Sequence, residues 1–90
     1  MAQKKVIRKG DKTSHGGTVL EGIDDYPVLG QPVACKGHMV SCPQCLGTYP
    51  IIEGVESQTI YGKQPAVEGM KTECGAELIG SQETFLVEIS

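Results

Sequence analysis

Three cysteines and one histidine are the residues of this 90-residue chain whose types and spacing suggest a definite chemistry. Cys42 and Cys45 are separated by Pro43 and Gln44, and two thiolates at that spacing can bite one tetrahedral metal ion. The other half of such a site must come from elsewhere. His15 and Cys74 are the natural partners, because each follows a glycine by five residues, as Cys42 follows Gly37. The expected site is therefore His15, Cys42, Cys45 and Cys74 around one structural Zn2+. Thiolates favour zinc over calcium or magnesium, which prefer oxygen. Four protein ligands leave no position for a reactive water, so a catalytic zinc is not expected.

The remaining candidates read more plainly. His38 lies four residues before Cys42 and becomes the fourth ligand only if Cys45 points away. Its slot holds Asp11 and Met70 in the related segments, so a turn histidine is the expectation. Cys35 reads as a small buried thiol in a strand. Asp11, just after Gly10, is expected to order its own turn through an Asx-type hydrogen bond. Ser14 and His15 are adjacent, and neighbours in extended chain do not present side chains to each other, so no nucleophile–base pair is read there. Asp24-Asp25 reads as a solvated loop rather than an acid–base pair. No glycine-rich phosphate loop leads into a helix, and no enzyme is expected.

The elements that must position these groups are short strands. Twelve Gly and five Pro leave no free stretch for an amphipathic helix, whereas β-branched runs recur at Val6-Ile7, Thr18-Leu20, Ile51-Ile52, Thr59-Tyr61 and Phe85-Ile89. The fold class is all-β. Three imperfect copies of one unit emerge on self-comparison, beginning at Val6, Val33 and Pro65. Each has Gly (10, 37, 69), then His or Cys five residues on (15, 42, 74), then a strand closing at Gly (22, 54, 80). Copy two is longer after its ligand slot, and the extra residues bring Cys45. The expected architecture is a small cone of three β-hairpin repeats with pseudo-threefold symmetry, stapled by one zinc near the point. Gly-Gln-Pro at 30–32 and Gly-Lys-Gln-Pro at 62–65 read as the hairpin turns that feed the next copy.

Length and charge bound the rest. Residues 1–90 make a single domain, with no fused effector domain expected. With no Trp and one Phe, apolar burial alone is thin, so a staple is needed. No apolar run has signal-peptide or membrane length, and a reducing compartment favours metal over disulfides. A net charge of −3 argues against nucleic acid as a partner, the only basic cluster being Lys4, Lys5, Arg8, Lys9 and Lys12. A zinc-ribbon-like binding module for protein or nucleic acid is the competing reading, but a ribbon needs a second close ligand pair.

These residues resemble the PAAR-repeat family. Val6-Ile7-Arg8-Lys9-Gly10-Asp11 through His15-Gly16-Gly17 looks like the opening of that family, and Pro32-Val33-Ala34-Cys35 like its naming Pro-Ala-Ala-Arg segment. Cys42-Pro43-Gln44-Cys45 and Glu73-Cys74-Gly75-Ala76 match its later ligand segments, so the likeness spans nearly the whole chain. The resemblance implies a monomeric cone that caps the blunt end of a trimeric VgrG-type spike of the type VI secretion system, or of a phage-tail-like spike. It implies membrane puncture with transient passage through a target membrane, and cargo effectors carried on the tip. It also implies residence in the bacterial cytoplasm before firing, then injection without a signal peptide. The broad face is expected to use Val28-Leu29, Thr59-Tyr61 and Phe85-Ile89 and to expose apolar surface.

Overall fold

The computed structural model describes residues 2–82 and 86–89, which span 32 × 27 × 23 Å. All regular structure among them is strand, in the order β1 (Ala2–Lys5), β2 (Lys12–Thr13), β3 (Ile23–Val28), β4 (Gln31–Val33), β5 (Met39–Cys42), β6 (Gly47–Pro50), β7 (Leu78–Ile79) and β8 (Leu86–Ile89). They pair antiparallel as β1–β8, β2–β7, β3–β4 and β5–β6. The all-β cone read from the sequence is the observed class of fold.

Its frame is a triangle made by the first segment of each copy. Val6 bridges Val67, Arg8 bridges Val33, and Cys35 bridges Pro65. Inside the triangle the backbone closes a three-membered hydrogen-bond ring. Ile7 donates to the Ala66 carbonyl at 2.9 Å, Ala66 to Ala34 at 2.9 Å, and Ala34 to Ile7 at 2.8 Å. All three residues are wholly buried, so each amide has its partner where no water can supply one. Small side chains at Ala34 and Ala66 let the three backbones approach this closely.

Alternation along each side of the triangle divides the core into two layers. Ile7, Ala34 and Ala66 face one way and pack with Val19, Val40, Ile51 and Leu78. Val6, Val33, Cys35 and Val67 face the other way and pack with Val28, Val55 and Val87. The first layer lies toward the thiols, since Cys42 follows Val40 by two residues on β5. The second lies toward the hairpins.

After the triangle each copy turns on a glycine held at positive φ, +95° at Gly10, +94° at Gly37 and +87° at Gly69. The three glycine amides donate to Val19, Ile51 and Leu78 at 2.8–2.9 Å, so the turns superimpose in their bonding. The returning strands close at Gly22, Gly54 and Gly80 for a different reason. A Cβ there would sit 2.6–2.7 Å from the Cβ of Pro32, Gln64 or Lys5 in the adjoining copy. Only glycine fits that waist.

Two hairpins, 23–33 and 55–65, occupy two corners, and the paired chain ends β1 and β8 supply the third. The turns fall one residue earlier than the Gly-Gln-Pro reading placed them. Leu29 and Tyr61 stand at their first central positions with φ of 52° and 50°, ahead of Gly30 and Gly62. Leu29 is held by Arg8, whose guanidinium donates to the carbonyls of Val28 and Leu29 at 3.1 and 3.3 Å. Of the predicted broad-face residues, Leu29, Tyr61 and Leu86 expose apolar surface, and Ile60 to Lys63 is a hairpin tip rather than a strand. Phe85 and Thr84 lie outside the described residues.

Candidate metal centre

The segments that carry the ligands are knitted copy to copy. Ser41 donates to Thr18, Glu73 to Pro50 and Ser14 to Glu77, all at 2.9 Å. These cross-links bring Cys42, the last residue of β5, together with His15 and Cys74, each in a turn, to one end of the axis. In copies one and three the chain leaves the ligand through Gly16 and Gly75, at φ +79° and +90°. Copy two instead runs Pro43-Gln44-Cys45-Leu46 as a turn, with Leu46 taking the positive φ of 56°. The inserted turn swings Cys45 back over the other three.

His15, Cys42, Cys45 and Cys74 each offer one ligand atom, and these atoms all lie within 4.8 Å of one another. His15 Nδ1 stands 3.5 Å from Cys42 Sγ and 3.8 Å from Cys74 Sγ. Cys42 is buried and the other three are half-buried, and none of the chain's four cysteines is in a disulfide. The residues singled out by the repeat are thus the ones the fold gathers. His38 is not among them.

The electrostatics of the group fit a cation. Cys45 is pushed up to about 11, first by the hydrogen bond its thiol donates to Cys42, then by burial and by Cys74. At Cys74 burial pushes upward, but hydrogen bonds from the Thr72 hydroxyl, the Ala76 amide, Cys42 and His15 outweigh it and hold the thiol down at about 6. Three sulfurs this close cannot all carry charge unless a positive ion joins them. One imidazole and three thiolates is a closed set whose softness suits zinc.

The shell behind the ligands is built from the same repeat. Thr72, fully buried, has its hydroxyl 3.1 Å from Cys74 Sγ. Its counterpart Thr13 accepts the Gly17 amide at 3.0 Å, and a side chain at Gly17 would overlap the Ser41 carbonyl. Tyr49 donates to the Cys45 carbonyl at 3.0 Å and braces the inserted turn. No sequence signal marked Thr72 or Tyr49 beforehand, although each acts within its own copy, Thr72 on Cys74 two residues on and Tyr49 on Cys45 four residues back.

The other candidates resolve into structural parts. Ser14 Oγ accepts the Glu77 amide at 3.0 Å, which ties copy one to copy three. Asp24 and Asp25 are exposed, as expected, but lie in β3 beside its register shift rather than in a loop. Cys35 is wholly buried in the triangle, its thiol pushed up to about 11 by burial. Asp11 does order its turn, though not in the Asx sense. Its Oδ2 accepts the amide of Arg8, three residues back, at 2.9 Å, and Oδ1 accepts from the Ser81 hydroxyl.

Comparison with known families places this architecture. The model of the PAAR motif matches residues 9–80, most of the chain. The chain belongs to the PAAR-motif family, a structural spike-tip family of small β cones associated with the VgrG spike of the type VI secretion system. No curated protein matches the sequence.

Proposed function

We propose that this protein is the tip of a type VI secretion spike, seated on the blunt end of a trimeric VgrG-like protein and held in shape by one zinc ion. The observation that carries the reading is the closed triangle of three copies. A monomer that presents the same bonding pattern three times about one axis can offer one face to each subunit of a trimer. The hairpin end, with exposed Leu29, Tyr61 and Leu86, is the face we assign to the trimer, and antiparallel edges there suit addition to the trimer's own strands.

The thiol end lies across the triangle and is the point that would lead through a membrane. A narrow end cannot bury a hydrophobic core, so a metal must supply the cohesion. Zinc–ligand binding can contribute on the order of 10 kcal/mol to folding. In this reading His15, Cys42, Cys45 and Cys74 are its ligands. Effectors would ride on the tip non-covalently, and the protein would wait in the cytoplasm until fired. The zinc-ribbon reading fares worse, because three of the four ligands come from three separated copies rather than two close pairs.

Co-purification with a trimeric VgrG-like spike tests the assignment. One cap per three spike subunits is expected by native mass spectrometry. Absence of a complex, or three caps per trimer, would count against it.

A further inference from the structure

The slot that follows each turn glycine carries three chemically unrelated residues, Asp11, His38 and Met70, and in each copy it does the same work. Asp11 Oδ2 accepts the Arg8 amide at 2.9 Å, His38 Nδ1 accepts the Cys35 amide at 2.9 Å, and Met70 Sδ accepts the Val67 amide at 3.4 Å. Each closes its turn onto a corner of the triangle. What the three side chains share is an acceptor at the right reach. They differ in what a proton does to it.

We propose that the His38 latch makes copy two a proton-sensitive corner of the cone, released in mild acid while copies one and three stay closed. A thioether takes no proton, and a carboxyl group keeps an acceptor oxygen in either protonation state. Imidazole does not. With Nδ1 accepting from Cys35, the ring's one proton must sit on Nε2, and a second proton turns Nδ1 into a donor facing another donor. The 2.9 Å bond then becomes a repulsive contact, and the Cys35 amide is left unpaired inside the fold.

The charges around the ring define the window. His38 lines an open cavity of about 270 Å3 with Lys9, Leu20, Glu21, Gly22 and Asp24. Burial disfavours the charged ring, Glu21 opposes that, and Lys63 adds to it, so His38 titrates below its ordinary value. The Glu21 carboxylate is itself engaged, accepting the Met39 amide at 2.8 Å. Cys35 stays a neutral thiol throughout. The unfolded chain therefore binds the proton first, near pH 6.5, and stability falls as pH drops below that value.

The sister copies supply the control variants. His38→Met carries the acceptor of copy three and His38→Asp that of copy one. Unfolding of the metal-loaded proteins is followed from about pH 8.5 to 5.0, with zinc content measured at each pH. Between pH 6.5 and 5.5 the unfolding constant of the wild type should rise relative to His38→Met by up to about fivefold. The ratio should be flat above pH 7.5, and subtraction removes the acid sensitivity of the metal ligands, which both proteins share. Exchange of the Cys35 amide, corrected for its intrinsic pH dependence, should accelerate in the wild type alone. A wild type that parallels both variants across this range, or an unchanged Cys35 amide, would overturn the proposal.

Discussion

Exchanging residues around the axis probes the triangle more sharply than deleting them. Ile7, Ala34 and Ala66 are related by the pseudo-threefold, share one buried cluster and close one hydrogen-bond ring, yet one side chain is large and two are small. Ile7→Ala removes three carbons from a site with no exposure and should cost about 2–5 kcal/mol, transfer and cavity together. Ala34→Ile alone overfills the same layer and should cost about 1–3 kcal/mol. The double variant moves the large side chain to the next corner without changing the total volume. If the corners are equivalent, about 1–3 kcal/mol of the summed loss should be recovered. Thermal melting of the four proteins reads this out, at about 4–8 °C per kcal/mol for a domain of this size. Additivity within about 0.5 kcal/mol would refute a shared axial site.

Further outcomes follow from the same geometry. His15→Ala or Cys74→Ala should release the metal and lower stability by several kcal/mol, read by metal content and melting; near wild-type values in both would rule out the proposed ligands. Thr72→Val keeps the shape and removes the hydroxyl beside Cys74, so zinc affinity should fall by about 10–100-fold in a competition with a chromophoric chelator. An unaltered affinity would mean that the hydroxyl does not support the thiolate. Gly54→Ala forces a Cβ to within 2.6 Å of Gln64 and should cost about 1–3 kcal/mol. A melting point unmoved by that substitution would mean the waist is looser than described.

The ligand set and the repeat were legible because glycine and cysteine mark positions by backbone need and by chemistry. Gly10, Gly37 and Gly69 flag a positive φ, and a thiol or imidazole five residues later flags the axis, whatever the intervening residues are. The latch slot was not legible. Asp, His and Met share no property that a pattern search can see, and only the amide they face makes them equivalent. Leu29 and Tyr61 escaped for the opposite reason. Bulky residues disfavour the left-handed region, so the turn was placed on the glycines that follow them. At Leu29 the Arg8 guanidinium accounts for the choice, as it fixes the carbonyls on either side of the strained residue. The closure of β1 on β8 joins the two ends of the chain, a pairing that no local pattern encodes.

The most direct measurement is zinc K-edge absorption on the purified protein together with its metal stoichiometry. One zinc per chain is expected, with a first shell of one nitrogen at about 2.0–2.1 Å and three sulfurs at about 2.3 Å. A protein that folds without bound metal, or a shell dominated by oxygen, would contradict the claim that three copies converge on His15, Cys42, Cys45 and Cys74 to hold the point together.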